Sequence, residues 1–249
     1  MIMKKLKVTT AIVAITLSGT MALSDGYGPF AVTLKGYSGD KTNTVSYSGQ
    51  IARHVLEQSL KKLAGKGNGG GNAAALEAQM LSYFNGSDED LPIIAPKSKD
   101  GFKIKQTSLH QISKGKNISG KFYNGAMTAW PGNMSGKDVA YNMIAMAAKS
   151  TNGFDADTGY DWAQLISKYT MGAMAYHQAV DNYLDEKLSA EKKPNNKPYK
   201  DGVHYTGKEH SWDEAFGYWG AAAHQHGFNP NKVYEIAKMK NQGVADKNG

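Results

Sequence analysis

A chain of 249 residues, 41% hydrophobic and 20% charged, is long enough for one or two domains with a real core, and its formal charge of +7 is a mild basic excess. The complete lack of cysteine excludes disulfides, thiolate chemistry, zinc–thiolate sites and a lipid-modified cysteine. The lysines fall in loop-like runs such as KSKDGFKIK and EKKPNNKPYK, so the charge gives no footprint for nucleic acid.

Residues 1–24 read as a secretory signal peptide. Lys4, Lys5 and Lys7 form a positive start, Val8 to Leu17 a short apolar run, and Ala22 and Ser24 supply small residues for cleavage. The run falls short of the ~20 apolar residues a membrane span needs, so no transmembrane segment is expected after cleavage. The protein is therefore expected in a periplasm or at the cell exterior. Cleavage after Ser24 removes three lysines and no acid, which leaves a formal +4.

Residues 25–47 read as an extended arm with one short strand, Phe30 to Leu34. Residues 48–249 read as a helical domain. Its first helix is SGQIARHVLEQSLKKLAG, with Ser48 as N-cap, Ile51, Val55, Leu56, Leu60 and Leu63 on one stripe, and Gly65 at the end. The glycine-rich GKGNGGGN lacks the Gly-Lys-Ser/Thr ending of a phosphate loop and reads as a connection. Asn72 then caps a second helix with Leu76, Met80 and Phe84 inward. Residues 86–134 carry prolines and glycines that forbid long helices. TSLHQIS and KFYNGAMTAW read as short ones. Ser135 with Asp138 predicts a capped third helix.

The segment GYDWAQLISKYTMGAMAYHQAVDNYLDEKL reads as one helix of roughly 25–30 residues, about 40 Å long at the α-helical rise. Its seam is Trp162, Ile166, Tyr169, Ala173, Tyr176, Val180 and Tyr183, and a helix of that length calls for partners in a helical bundle. FDADTGYD before it alternates acids as calcium loops do, but the glycine and terminal glutamate are misplaced, so it reads as a helix-entry turn. After Pro194 and Pro198 comes the helix that starts at Gly207, and NPNKVYEIAKMKNQG reads as a last one.

The stretch GKEHSWDEAFGYWGAAAHQH, from Gly207 to His226, concentrates the chemistry. On a helix, Trp212, Phe216 and Trp219 make an apolar stripe. His210 and Glu214 sit one turn apart, with Asp213 beside them and Glu209 a turn before Asp213. One imidazole with neighbouring carboxylates is a donor set that suits iron, manganese or zinc. The competing interpretation is capping and packing, since acids in a first turn offset the helix dipole. His224 lies about 21 Å further along a straight helix and belongs to no common site, and His226 falls at a helix end. Outside this stretch, Gln50, Arg53 and His177 (with Asp181 one turn on) are ligand candidates, Arg53 as partner for one of the acids. Trp212, Tyr218 and Trp219 form a candidate stacking platform for a glycan or peptide. A metal-dependent hydrolase with Asp213 or Glu214 as base is a further alternative, lacking the second histidine of HExxH.

Three segments, YSGQIARHVLEQ, DWAQLISKYTMGAMAYHQAVDNYL and EHSWDEAFGYWG, resemble the hallmark segments of an uncharacterised family of exported bacterial proteins, a domain of unknown function similar to the imelysin-like, helix-rich periplasmic proteins. The resemblance implies an all-α helical bundle and a non-enzymatic protein that binds iron or another divalent metal, or a metal complex. It implies a partner in an outer-membrane or periplasmic metal-uptake component. Imelysin-like proteins carry Gly-x-His-x-x-Glu. His210 fits the histidine, but the glycine is missing and Asp213 stands where glutamate is expected, followed by Glu214. The metal set implied is His210, Asp213 and Glu214, supported by Glu209, with no catalytic residue. Because relatives run longer and the chain ends in DKNG, like the opening of a cut-off calcium loop, the sequence is expected to be the N-terminal half of a two-bundle protein.

Overall fold

The structure, a computed structural model, describes residues 30–97, 106–128, 132–189 and 192–219. The signal peptide, the last helix, His224 and His226 lie outside the described residues. Among those described, the fold is all-α. Helix α1 (Ser48–Ala64), α2 (Ala73–Asn85), α3 (Gly136–Lys149), α4 (Trp162–Thr170) and α5 (Gly207–Trp219) are joined by long irregular connections. The expected strand at Phe30 is only an isolated bridge between Ala31 and Asn43. The two expected short helices reduce to turns and one 3₁₀ turn, Ser119–Lys121.

Helix α1 is the centre, and it packs against α2, α3, α4 and α5. Its stripe of Ile51, Val55, Leu56, Leu60 and Leu63 is fully buried, as the spacing predicts. Met80 and Phe84 of α2, Val139, Met143 and Ile144 of α3, and Trp162 and Ile166 of α4 close that core. α1 also buries polar groups on its other faces: Gln50, Arg53, Glu57 and Ser59. Glu57 accepts from the Ser167 hydroxyl at 2.9 Å and from Gln58 at 2.6 Å. Burial raises its pKa above the ordinary carboxylate value despite those bonds.

Ends are set partly as the sequence indicates. Ser135 accepts from the Asp138 N–H at 3.3 Å and caps α3, and Asp161 accepts from the Gln164 N–H at 3.0 Å to start α4. FDADTGYD is accordingly the entry turn. Gly86 ends α2 with φ 82°, where a side chain would be strained. Ser48 is a correction, whereas Asn72 holds the cap position of α2 as expected. Ser48 is the first residue of α1 rather than its cap, Tyr47 holds the cap position, and neither Tyr47 nor Asn72 makes a side-chain capping bond.

The long helix runs unbroken from Trp162 to Lys187, but beyond Thr170 it is π-wound, over Met171–Tyr176 and Gln178–Lys187. A π-helix bonds i to i+5 and puts more residues in each turn. The inward stripe therefore changes step: Met174, Gln178, Ala179 and Tyr183 are buried, while Tyr176 is 58% exposed. The seam of three- and four-residue steps is interrupted after Ala173, where Tyr176 turns outward, and is met again at the buried Tyr183. On this π-wound stretch Tyr183 and Lys187 lie towards α5.

Candidate functional site

Helix α5 turns the tryptophans of its apolar stripe outward. Its buried face is Gly207, Ser211, Asp213, Ala215, Gly217 and Tyr218, while Trp212 and Trp219 are 51% and 52% exposed. The reason is the close crossing with α1. A Cβ on Gly217 would come within 2.8 Å of the Cβ atoms of both Tyr47 and Gln50, so only small residues fit this seam. His54 of α1 donates across it to the Gly217 carbonyl at 2.9 Å.

The carboxylates proposed as one donor set are directed to different tasks. Glu209 completes a capping box with Thr206: the Thr206 N–H donates to its carboxylate at 2.7 Å and the Glu209 N–H donates back to the Thr206 hydroxyl at 3.2 Å. Its other oxygen accepts from Thr33 at 3.0 Å. Asp213, 2% exposed, accepts from the Ser46 N–H at 2.8 Å and so places its charge at the start of α1. Only His210 and Glu214 face each other, Nε2 to Oε2 at 3.6 Å. Among the described residues no three His, Asp or Glu side chains form a group able to hold a metal ion. The four-residue set of His210, Asp213, Glu214 and Glu209 is therefore not assembled, because two of its acids serve helix N-termini.

Around His210 and Glu214 a different site forms. Glu214 accepts from Gln50 of α1 at 2.9 Å. Tyr183 of the π-wound segment is pushed to high pKa by burial first and by the Glu214 charge second, which places its phenol beside that carboxylate. The Tyr183 and Tyr218 rings lie 5.8 Å apart. Arg53 lies over the Tyr218 ring at 5.8 Å and Lys187 over the Tyr183 ring at 3.7 Å. Lys121 joins from the 3₁₀ turn, anchored where its carbonyl accepts from Gln178 at 2.9 Å. Burial lowers the pKa of Lys121, as does the neighbouring Arg53 charge, and burial likewise lowers that of Lys187, with Glu214 opposing both.

His210 packs beside two tyrosines of the connection before α5, with ring centres 4.6 Å from Tyr199 and 5.0 Å from Tyr205, which are themselves 6.3 Å apart. Burial lowers its pKa below the ordinary histidine value, against the pull of Glu214, and Lys193, Lys200 and Lys187 add to the lowering. The neutral imidazole is thus favoured. Its Nδ1 is buried with no hydrogen-bond partner, and so is the Tyr218 hydroxyl. Gln50, Arg53, Tyr183 and Tyr218 are buried, and Lys121, Lys187, His210 and Glu214 are half-buried above them.

Of the other candidates, Gln50 and Arg53 belong to this site, though Arg53 is not the ion-pair partner expected. Its guanidinium donates to the Asn117 carbonyl at 2.9 Å and the Gly49 carbonyl at 3.3 Å. His177 bonds Asp181 at 2.7 Å and packs on the Tyr123 ring. Tyr218 is wholly buried and forms no platform with the two exposed tryptophans. Trp219, together with the edge of Tyr218, borders an open apolar groove of about 320 Å³ with Met171, Ala175 and Tyr176. Lys121, Tyr183 and Lys187 were not legible as site residues. The Thr206-x-x-Glu209 spacing is a capping-box signal that would have withdrawn Glu209 from the ligand set.

Fold and site together describe an all-α domain with a half-buried polar cluster where α1, α5 and a π-wound helix meet. Residues 36–241 match the model of a family described as a domain of unknown function, DUF4856, and the chain belongs to that family. No curated protein and no solved structure matches the chain. No helix among the described residues is long and apolar enough to cross a membrane.

Proposed function

We propose that this is an exported, non-enzymatic binding protein that holds a small polar molecule, or a metal carried by one, between α1, α5 and the π-wound helix. The observation that supports it most is convergence. Four stretches far apart in sequence (50–53, Lys121, 178–187 and 210–218) bring polar side chains together around buried atoms left without partners, the Tyr218 hydroxyl and His210 Nδ1. A buried polar atom without a partner costs about 1–3 kcal/mol, so a ligand that completes the bonding is the economical explanation. Export is supported by the lysines and apolar run of residues 1–24 and by the likeness to imelysin-like periplasmic proteins.

The bare-ion form of this reading retains only His210 and Glu214, surrounded by lysines that repel a cation. The hydrolase alternative loses Asp213, committed to the start of α1. The exposed Trp212 and Trp219 leave room for sugar contact outside the site.

A melting-temperature screen tests the proposal, using organic anions, organic cations, sugars and the ions Fe(II), Mn(II) and Zn(II). The expected result is a compound that raises the melting temperature of the wild type but not of Tyr218→Phe or Glu214→Gln. If no compound does so, or if every shift survives both substitutions, the site is not a binding site. A shift by a metal ion alone that vanishes in His210→Ala would restore the bare-ion reading.

A further inference from the structure

Charge at the site is one-sided. Arg53, Lys121 and Lys187 bring three cations, and Glu214 is the carboxylate placed among them. Among the described residues none of the three cations has a carboxylate within ion-pair distance, while Glu214 is engaged by Gln50 and faces His210. The positions are fixed rather than fluid. Arg53 is tied to two backbone carbonyls and lies on Tyr218, and Lys187 lies on Tyr183. The ring contact between Tyr218 and Tyr183 at 5.8 Å holds these two cations about one floor. The Lys121 backbone carbonyl accepts from Gln178, which anchors that residue beside the same segment. Lys193 and Lys200 extend the positive field on the His210 side.

Like charges held together at a half-buried surface repel and are poorly solvated, so the arrangement is complete only when negative charge enters it. We infer that the ligand of this site is an organic oxyanion, its negative group received by Arg53, Lys121 and Lys187 with the Tyr218 hydroxyl as a neutral donor beneath. This rests on the binding-site reading above and adds the chemical class. Carboxylates and phosphates share the chemistry required: a compact anion with several acceptor oxygens that suits both a planar guanidinium and ammonium point charges. Glu214, facing His210, sits beside the cations. It disfavours a second negative group there and accepts a hydroxyl or amine donor from the rest of the ligand.

Calorimetric titration of the protein with succinate and with inorganic phosphate, at low and high salt, tests the inference, with choline and glucose as controls. At least one anion should bind, more weakly as salt rises. Succinate alone points to carboxylates, phosphate alone to phosphate esters. Lys121→Gln and Lys187→Gln should each weaken the anion by about ten-fold while retaining the wild-type melting temperature. If choline or glucose binds at a site abolished by Glu214→Gln and neither anion does, the binding site stands and the anion class is wrong. If neither anion binds and no compound of the broader screen acts through Tyr218 or Glu214, both are wrong. Anion binding untouched by either lysine substitution also overturns the inference.

Discussion

From Leu56 to Ala64, α1 meets α2, α3 and α4 through Leu56, Leu60 and Leu63 and apolar partners such as Met80, Phe84 and Ile144. From Gln50 to His54 the same helix meets α5 through a carboxylate, a guanidinium and an imidazole. The first end is explained mainly by the hydrophobic effect: its large buried side chains are apolar except Glu57, whose carboxylate accepts from Ser167 and Gln58. The second cannot be, because it leaves a buried hydroxyl and a buried ring nitrogen without partners and gathers cations. Buried polar atoms without partners also occur at Asn72, Gln106, Ser108 and Trp162, so it is their coincidence with gathered cations that marks this end as kept for something outside the fold.

Substitutions can sharpen or break this contrast. Leu60→Ala at the apolar end removes a side chain with no exposure and should destabilise by about 2–5 kcal/mol in urea unfolding. A loss under 1 kcal/mol would mean that this end is not the structural core. Gly217→Ala places a methyl group against Tyr47 and Gln50, and should cost about 1–3 kcal/mol and disturb the tyrosine fluorescence of the α1–α5 seam. Asp213→Ala removes the acceptor of the Ser46 N–H at the start of α1 and should cost about 1–2 kcal/mol, with metal affinity unmoved. A metal isotherm that changes with Asp213→Ala would return that residue to a ligand set.

The smallest of these effects is a pH effect at Glu57. Its pKa is raised on folding from the ordinary value near 4.5, so between 4.5 and the folded value the native state retains a proton that the unfolded chain has released. Stability from this group is thus greatest below 4.5 and declines as pH rises through that window. Glu57→Gln should remove the decline and be at least as stable as the wild type at neutral pH. Unfolding curves for both proteins at a series of pH values check this, and a variant less stable at every pH would show that a charged Glu57 serves the fold.

The apolar end was legible in the sequence because burial there follows helical periodicity: Ile51 to Leu63, Leu76 to Phe84, and the Ser135 cap. The site was half legible. Gln50, Arg53, His210, Glu214 and Tyr218 were named, but Lys121 and Lys187 were not. Nothing local distinguishes a lysine in a loop or near a helix end from a solvated one. Tyr183 falls on the expected seam, whereas the π-winding breaks the period from which the orientation of Lys187 would be read. The apolar stripe of α5 does not tell which face is inward: the close approach at Gly217 admits only small residues, so Trp212 and Trp219 face outward while Tyr218 is buried.

Comparison of Tyr218→Phe with the wild type by urea unfolding, in the absence of any ligand, tests the central claim most directly. The substitution removes one oxygen atom from a fully buried side chain whose hydroxyl has no partner. If that hydroxyl is reserved for a ligand, the variant will be as stable as the wild type or more so. A loss of about 1 kcal/mol or more would show that the hydroxyl serves the fold, and the account of a site waiting for its ligand would be contradicted.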